Sequence, residues 1–451
     1  MNAWLAPALD YVEDWLGFQM RLSGEPGCAI AVAHAGRVLF ERAFGMADLA
    51  HATPLTPRHR FRVASHSKSF TAAALMALVQ AGRLRLDDPV GAHVAGLPDP
   101  LASARIGQLL SHSAGLMRDG TECGHWNDQK PFPDAAGLRH QLSQALVLCP
   151  GERFKYSNLG FGLLGLVLEA VTGEAFAPWL QRELLDPAGL HETAPDMPAG
   201  AAEPLATGHT GKLPVGRMAI AGRNPTGALA AATGFVATTG DLARFFASLD
   251  AAAAESPLSI ASRREMTRPH WKSPYSEADV QYGLGIITGT AHGHAWFGHS
   301  GAFQGCQSRT CVVPDWSLSV ALVINAIDGP ANGWVDGVLH ILDRFAKAGP
   351  PAPDLASWRG RWWSLWGAFD LVPIGDRVLV ASPDTTTPFT DASEIEVIDT
   401  THGRITQAHG FASHGEPVER TLDSEGSAVR LRLAGEDSLP EAAFVNARHT
   451  A

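Results

Sequence analysis

The sequence lacks the features typical of disulfide-stapled, membrane-spanning or nucleic-acid-binding proteins. Its five cysteines are odd in number and include no C-x-x-C pair, which favours a reducing compartment over a disulfide framework. The most apolar runs, such as residues 318–326, are far shorter than the ~18–20 residues that a membrane span needs. Lys and Arg total 35 against 46 Asp and Glu, and no basic cluster is present. We therefore expect neither a membrane nor a nucleic acid as partner.

The first residues also lack a secretory pattern. Residues 1–19 carry Asp10, Glu13 and Asp14 in an amphipathic arrangement, whereas a signal peptide has basic residues followed by an uninterrupted apolar core. Together with the cysteine count, this predicts a cytoplasmic protein.

What is present is the composition of a folded globular chain. The 451 residues allow two or three domains, and 45% of them are apolar against 18% charged. Gly (46) and Pro (30) together fall below the ~25–30% typical of disordered chains. The chain can therefore bury at least one large core.

The pattern along the chain predicts one sheet built from distant segments. Residues 28–34 and 37–44 are β-prone runs separated by Ala35-Gly36, which indicates a hairpin. The middle, roughly 66 to 225, is mainly helical, with candidates at 65–80, 104–110, 138–147, 159–171 and 176–184. Strand patterns return at 279–288, 295–297, 303–313 and 318–325, before a helix at 335–347.

A Pro-rich stretch at residues 349–353 predicts a domain boundary, because it cannot continue a helix. We assign residues 1–348 to the first domain and 354–451 to the second. The second alternates β-prone runs with turn residues and shows no clear helix, which indicates a small antiparallel, lipocalin-like β-barrel; the runs are 368–373, 377–381, 395–399 and 428–433. Four tryptophans open this domain, and we expect them to pack its interior or the domain interface rather than to form a ligand platform; they are Trp358, Trp362, Trp363 and Trp366.

The first candidate for chemistry is Ser65-His66-Ser67-Lys68, where a strand-like run meets an Ala-rich helix. Residues three apart share a helix face, so the Lys68 amine can reach the Ser65 hydroxyl. A desolvated lysine can lose its proton near neutral pH and activate a serine. Taken alone, S-x-x-K also fits a solvated helix face.

Two later segments carry further candidates. Tyr156 and Asn158 precede a helix, where a tyrosine near amines can move protons and an Asn side chain can bind both a lysine and a substrate carbonyl. Alternatively, Asn158 is simply the helix N-cap. Gly298-His299-Ser300-Gly301 lies between β-prone runs, where glycines would let a substrate approach a strand edge. Its alternative is a tight hairpin turn with a surface histidine.

The order S-x-x-K, Y-x-N, H-x-G resembles the serine β-lactamase and penicillin-binding-protein superfamily, on the branch with class C β-lactamases and D-aminopeptidases. The resemblance covers about residues 10 to 347. Further segments carry it: Leu109-Leu110-Ser111-His112-Ser113-Ala114-Gly115-Leu116, Pro150-Gly151-Glu152-Arg153-Phe154-Lys155-Tyr156-Ser157-Asn158, Thr239-Gly240-Asp241-Leu242-Ala243 and Tyr282-Gly283-Leu284-Gly285.

The resemblance implies an α/β fold, with an antiparallel sheet flanked by helices and an all-helical subdomain. It also implies an acyl-serine mechanism without metal or cofactor. Ser65 would attack the carbonyl, Lys68 would activate it, and Tyr156 would shuttle the proton to the leaving group. Lys155 ranks second as the cation beside Tyr156.

The resemblance further implies the substrate-binding residues. Asn158 would orient both substrate and Lys68, and His299, Ser300 and Gly301 would line the site. The backbone N–H groups of Ser65 and Ala302 would hold the oxyanion.

The last motif departs from the Lys-Thr-Gly of β-lactamases and carboxypeptidases, because His299 replaces the fixed cation. The form H-x-G favours a D-aminopeptidase or amidase-like enzyme acting on a small molecule or short peptide. A D,D-carboxypeptidase or β-lactamase, with Arg309 supplying the charge, an esterase, and a non-catalytic binding protein stay as alternatives. The sequence does not decide whether the protein forms a homo-oligomer.

Other residues near these motifs are expected to be structural. Cys123 and His125 are metal-ligand types, but their spacing matches no standard zinc pattern, and a loop lining the cleft explains them better. His66 and His112 are expected to make structural hydrogen bonds.

Overall fold

The computed structural model describes residues 2–198, 204–220, 222, 224–274, 279–408 and 413–449. The chain forms two compact units: a main-sheet unit, Glu25–Val335, and a barrel unit that combines Met1–Gly24 with Asp336–Ala451. The candidate site residues all lie in the first of these units.

The main-sheet unit is built on an antiparallel sheet. In chain order its strands are β1 (Gly27–His34), β2 (Arg37–Asp48), β3 (Thr53–Pro54), β4 (Phe61–Arg62), β5 (Gly208–His209), β6 (Ala219–Ile220), β7 (Val236–Ala237), β8 (Trp271–Lys272), β9 (Gln281–Tyr282), β10 (Ile287–Ala291), β11 (His294–Phe303), β12 (Cys306–Val313) and β13 (Leu318–Ile324). Nine strands form the main sheet, in the order β3-β2-β1-β13-β12-β11-β10-β9-β8. The early hairpin therefore joins the late strands, as the sequence predicts.

The α-helices are α1 (Leu5–Ser23), α2 (Ser67–Gln80), α3 (Asp99–Ala102), α4 (Ile106–Leu110), α5 (Ala135–Leu142), α6 (Asn158–Thr172), α7 (Phe176–Leu180), α8 (Thr239–Ser248), α9 (Ile260–Thr267), α10 (Ala331–Ala348) and α11 (Glu441–His449). Short 3₁₀ turns occupy Ala64–His66, Val90–Ala92, Gly124–Asn127, Gly227–Leu229, Pro314–Trp316 and Pro353–Trp358, and π-turns occupy Gln181–Leu185 and Ala230–Gly234. Helices α2 to α7 form the mainly helical segment that the sequence predicts between the strands.

The core explains why the central strands read as continuous apolar runs. All of β13 is buried, and β1 is buried except at its last residue. Register is continuous through the centre of the sheet, with Ile30 of β1 opposite Leu322 of β13. Helix α8 packs on β1, β2, β12 and β13 within the same unit. The predicted α/β fold with a helix-flanked antiparallel sheet is confirmed.

The structure rules out one alternative and corrects one expectation in this unit. Gly298 to Gly301 lies inside strand β11, so the alternative of a hairpin turn is excluded; the turn falls later, at Gln304-Gly305. Ser65 lies in a 3₁₀ turn just before α2 and not in the α-helix itself.

The barrel unit holds an eight-stranded antiparallel sheet in sequence order. Its strands are β14 (Gly360–Ser364), β15 (Gly367–Ile374), β16 (Arg377–Ala381), β17 (Ser393–Val397), β18 (His402–Gln407), β19 (Pro417–Leu422), β20 (Ala428–Leu433) and β21 (Glu436–Ser438). Trp363 of β14 bridges to Leu439, just after β21, so the barrel is nearly closed. The predicted antiparallel barrel is confirmed.

Two expectations about this unit, the packing of its tryptophans and the absence of a helix, are corrected in part. Trp358 and Trp362 lie in the barrel core, as expected, but Trp366 lies at a hairpin tip and is 89% exposed. The expected absence of a helix is also wrong, since α11 follows the last strand.

Helix α1 is part of the barrel unit, although it is distant in sequence. The Tyr11 hydroxyl donates to Asp370 Oδ2 at 3.1 Å, and Arg361 binds both oxygens of Asp370 at 2.7 and 2.8 Å. The Trp15 indole donates to the Thr385 carbonyl oxygen at 3.0 Å. The compact units therefore divide at 24/25 and inside α10, whereas the boundary near residues 349–353 stays a prediction from sequence.

Among the described residues, no single helix is both long and apolar enough to span a bilayer. One bent pair, Asn158–Thr172 with Phe176–Leu185, meets the length and composition criteria together, with a 75° bend.

Replacing Asp370 by Ala should destabilise the barrel unit by about 3 kcal/mol, because it leaves the largely buried Arg361 guanidinium without its carboxylate. The exposed pair Arg430–Asp437 offers the control, and Asp437→Ala should cost under about 1 kcal/mol. The free energy of unfolding in urea measures both. Equal losses would show that the Asp370 contacts do not hold α1 on the barrel.

Candidate active site

The candidate nucleophile sits on a strained turn. Strand β4 passes into the 3₁₀ turn through Ala64, whose φ of 51° lies in the left-handed region that non-glycine residues rarely adopt. The Ser67 hydroxyl stabilises this turn by donating to the Ala64 carbonyl oxygen at 2.6 Å, and it accepts from the Phe235 amide at 3.0 Å. The turn places Ser65 at the edge of a cavity.

Gly301 allows β11 to run against that turn. A Cβ atom at position 301 would lie 2.4 Å from the Val63 carbonyl oxygen and 3.0 Å from Ala64 Cβ. The glycine is therefore required by the protein's own backbone, whereas the sequence suggested a role in admitting substrate. It brings Ala302 and the strand edge to the cavity that also contains Ser65.

Lys68 is the most unusual residue of the site, because it is fully buried among neutral partners. Its Nζ lies 3.0 Å from Ser65 Oγ, 2.8 Å from Asn158 Oδ1 and 2.8 Å from the Ala232 carbonyl oxygen. Desolvation holds the pKa of Lys68 well below its usual range, with the nearby Asp119 opposing and Arg118 reinforcing this shift. A neutral amine suits this geometry, since its two N–H bonds satisfy Asn158 and Ala232 while its lone pair faces the Ser65 hydroxyl.

Two local structures supply the partners of Lys68. The π-turn at Ala230–Gly234 presents the Ala232 carbonyl oxygen towards the amine. The N-cap of α6 is Ser157, whose hydroxyl accepts from the Gly160 amide at 2.9 Å. Asn158 is thus not the cap, and its side chain binds Lys68.

Tyr156 completes a hydrogen-bonded chain. Its hydroxyl donates to Ser65 Oγ at 2.7 Å, and Lys68 Nζ lies 4.8 Å from the centre of its ring. Burial raises the pKa of Tyr156 well above its usual value, so the phenol is protonated at neutral pH. The chain then runs from the Tyr156 O–H to the Ser65 O–H and on to the Lys68 amine.

The sequence motifs overlook two charged residues at this centre. Asn158 Nδ2 donates to Asp119 Oδ1 at 2.6 Å, and the largely exposed Arg118 pairs with Asp119 Oδ2 at 3.2 Å. Arg118 also lies 5.8 Å from the Tyr156 ring centre. Their position directly after the Ser111–Met117 segment was the available signal.

His299 is buried and neutral, which rules out the alternative of a surface histidine. Only 1% of it is exposed, its Nε2 lies 3.0 Å from the Tyr282 hydroxyl, and its Nδ1 accepts from the Ser300 amide at 3.0 Å. Burial, together with the neighbouring His66 and Lys68, keeps its pKa well below the usual value. The third motif therefore supplies hydrogen bonds and no positive charge.

His66 and His112 make the expected structural hydrogen bonds. His66 Nδ1 lies 3.0 Å from the Val63 carbonyl oxygen and its Nε2 lies 3.2 Å from Thr310 Oγ1. His112 Nδ1 accepts from the Ser157 amide at 3.1 Å. Burial lowers the pKa of both imidazoles, to about 3 for His66.

A cavity of about 670 Å³ opens at Ser65. The described residues that line it include two cations, Arg118 and Lys155, and no carboxylate; the others are Ser65, Phe154, Tyr156, Ser273, Val280, Gln281, Tyr282, Ile287, His299, Ser300, Gly301, Ala302, Gln307 and Asn332. Six of the eight predicted site residues thus line this cavity. The other two, Lys68 and Asn158, are buried directly behind Ser65.

Arg309 and the Cys123 segment lie elsewhere. The Arg309 guanidinium packs 4.3 Å from the Trp296 ring centre and is not among the described residues lining the cavity. Cys123 Sγ contacts the Asp119 and Gly120 carbonyl oxygens, and the buried His125 packs on neighbouring rings. In the described part of the chain, no three His, Cys, Asp or Glu side chains group to hold a metal ion.

Comparison with known proteins decides the family. A model described as Beta-lactamase matches residues 18–336. The chain belongs to the beta-lactamase family. Protein flp of Staphylococcus aureus (strain N315) is 31% identical over 173 residues, which cover 37% of this chain and 34% of that protein. The match thus spans about a third of this relative.

Solved structures extend the likeness to the whole fold. A penicillin-binding protein homologue from Pyrococcus abyssi superposes with a TM-score of 0.65 at 22% identity, covering 96% of this chain and 99% of the other. The D-amino acid amidase from Ochrobactrum anthropi SV3 gives a TM-score of 0.65 at 23% identity, covering 75% of this chain and 98% of the other. At these identities, the likenesses show the fold shared with this β-lactamase and penicillin-binding-protein group.

The buried histidines predict acid-sensitive stability. His66, His112 and His299 have lowered pKa values when folded, so below pH ~6.5 the unfolded chain binds protons that the folded chain does not. The free energy of unfolding should then decrease as the pH is lowered below ~6.5, by up to about 1.4 kcal/mol per pH unit for each histidine. Urea midpoints at pH 7.5 and 5.5 measure this. Equal midpoints would contradict the neutral, buried assignment.

Proposed function

We propose that the protein is a serine hydrolase that cleaves an amide or peptide bond through an acyl-Ser65 intermediate. The observation that carries the proposal is the chain of contacts from Tyr156 to Ser65 to the buried Lys68. Such a fully desolvated lysine has neutral hydrogen-bond partners and faces a serine on a strained turn, which favours nucleophile activation over a structural ion pair. These features also speak against a non-catalytic binding protein.

In the proposed acylation step, the Ser65 oxygen attacks the carbonyl carbon while Lys68 Nζ accepts the hydroxyl proton. The tetrahedral intermediate collapses as the C–N bond breaks, and Tyr156, which lies 2.7 Å from Ser65 Oγ, relays a proton to the departing nitrogen. Deacylation reverses the roles: water loses its proton to the same groups and releases Ser65. The two stages consume one water for each bond cleaved.

The strand edge beside Ser65 supplies the proposed oxyanion site. Gly301 lets β11 approach the Ser65 turn, and Ala302 lines the same cavity. The backbone N–H groups of Ser65 and Ala302 would donate to the carbonyl oxygen as it gains negative charge. Asn158 would bind the substrate carbonyl only when its contacts to Lys68 and Asp119 rearrange, so we assign it first to Lys68.

For the substrate class we propose compact amides, with esters as faster model substrates. The neutral His299 supports this, because the position lacks the fixed cation used for carboxylate-ended substrates. A fold shared with a protein described as a D-amino acid amidase adds support. A homologue described as octameric likewise supports a homo-oligomer as a proposal for this chain.

A second candidate is a hydrolase for substrates that end in a carboxylate. Arg118 and Lys155 are the charged residues among those described that line the cavity, and both are positive. They replace Arg309, which the sequence suggested, as the groups available to such a substrate.

Ser65 should be the single site of covalent labelling by a fluorophosphonate. Intact mass should show one adduct, peptide mapping should place it on Ser65, and Ser65→Ala should abolish it. Ser273→Ala is the matched control, because Ser273 lines the same cavity away from the Lys68 contacts, and its labelling should persist. Retained labelling of Ser65→Ala would refute the proposed nucleophile.

Lys155 distinguishes the two substrate classes. If the cavity binds a carboxylate, Lys155→Gln should lower kcat/KM about tenfold or more for an acyl peptide with a free C-terminus, because a charge-assisted hydrogen bond is lost. The matched C-terminal amide should be unaffected. The compact-amide proposal predicts the same ratio of the two rates in variant and parent.

A further inference from the structure

Asp119 lies directly behind the residue that contacts the candidate base. Asn158 makes two opposite contacts: its Oδ1 accepts from Lys68 Nζ at 2.8 Å, and its Nδ2 donates to Asp119 Oδ1 at 2.6 Å. The Asp119 side chain is only 21% exposed. An unbroken line of contacts thus joins Asp119, Asn158, Lys68 and Ser65.

The carboxylate fixes which way the Asn158 amide faces. An ionised carboxylate only accepts hydrogen bonds, so it binds the NH₂ end of an amide and disfavours the oxygen end. With Nδ2 held by Asp119, the amide oxygen must face Lys68. The short 2.6 Å contact between Asn158 and Asp119 makes this orientation specific.

The orientation matters because of the lone pair on Lys68. In the observed orientation, the amide oxygen accepts one N–H of the amine and leaves the nitrogen lone pair to the Ser65 hydroxyl. If the amide were reversed, its NH₂ group would donate to that lone pair. The base would then be occupied, and Ser65 would keep its proton.

We propose that Asp119 is a positioning residue that locks the Asn158 amide and so keeps the Lys68 lone pair available to Ser65. This inference rests on the proposed function, since it assigns Asp119 to the hydrolysis at Ser65. Asp119 is not among the described residues that line the cavity; it meets Lys68 only through Asn158, and it pairs with Arg118, which does line the cavity.

Charge adds a measurable consequence. Asp119 favours the protonated form of Lys68, whereas Arg118 on the same turn disfavours it. The other titratable groups that face Lys68 are Tyr156, His66, His112 and His299, all of which burial keeps neutral near pH 7. The Arg118–Asp119 pair is therefore the charged influence on this amine among the described residues.

A double-mutant cycle on a neutral ester such as p-nitrophenyl acetate tests the proposal in the full-length protein. Asp119→Asn keeps the size of the side chain but lets either end of the Asn158 amide face Lys68, so kcat should fall about ten- to a hundredfold. In the Asn158→Ala background, the same substitution should change kcat less than about twofold, because there is no amide to orient. Thermal unfolding of each variant confirms that the fold is intact.

The pH profile of kcat/KM supplies a readout that a purely structural role would not move. Its acid limb reports protonation of Lys68. Removing the negative charge in Asp119→Asn should lower the pKa of Lys68 and move the limb to lower pH. Removing the positive charge in Arg118→Ala should raise that pKa and move the limb to higher pH.

Three results would overturn the inference. Additive losses in the cycle would show that Asp119 does not act through Asn158. An acid limb that stays at the same pH in both Asp119→Asn and Arg118→Ala would show that neither charge influences the pKa of Lys68. A loss confined to amine-bearing substrates, with the neutral ester unaffected, would assign Asp119 to substrate binding. If Ser65→Ala still abolishes labelling in any of these cases, the proposed hydrolase stands and only the role of Asp119 fails.

Discussion

The site depends on the burial of one amine. Lys68 Nζ has no solvent exposure, and its partners are the hydroxyl, amide and backbone oxygens of Ser65, Asn158 and Ala232. Burying a charged ammonium without a carboxylate costs several kcal/mol, so the structure favours the neutral amine. A neutral amine is the form that can accept a proton from serine. The packing of α2 against α6 and the π-turn is thus also the source of the proposed base.

The same low polarity explains the remainder of the site. The family resemblance implies a lysine at the position of His299, and an ammonium buried there, beside the neutral amine of Lys68, would carry its own cost of desolvation. Hydrogen bonding to Tyr282 and Ser300 satisfies the imidazole instead. Among the described residues that line the cavity, the positive charges are those of Arg118 and Lys155. The groups buried next to Ser65 are therefore uncharged, whereas the charged side chains lie in the cavity lining.

The sequence predicts this site unevenly, for physical reasons. Ser65 and Lys68 are three residues apart on one turn, so their contact follows from local geometry. Their contacts with Tyr156 and Asn158 span about ninety residues and were available only through the family resemblance. Asp119 belongs to no quoted motif, and Gly301 was given a substrate role although a backbone approach requires it. The docking of α1 on the barrel depends on Asp370, some 359 residues from Tyr11, which no local pattern reveals.

The most direct test is the ionisation state of Lys68. The chain has only six lysines, so a sample labelled with ¹³C at lysine Cε gives few signals, and the one missing from Lys68→Met identifies the residue. We predict that this signal has the chemical shift of a neutral amine at pH 7 and titrates well below the usual lysine range. A Lys68 signal that remains that of an ammonium up to pH 9 would contradict the account.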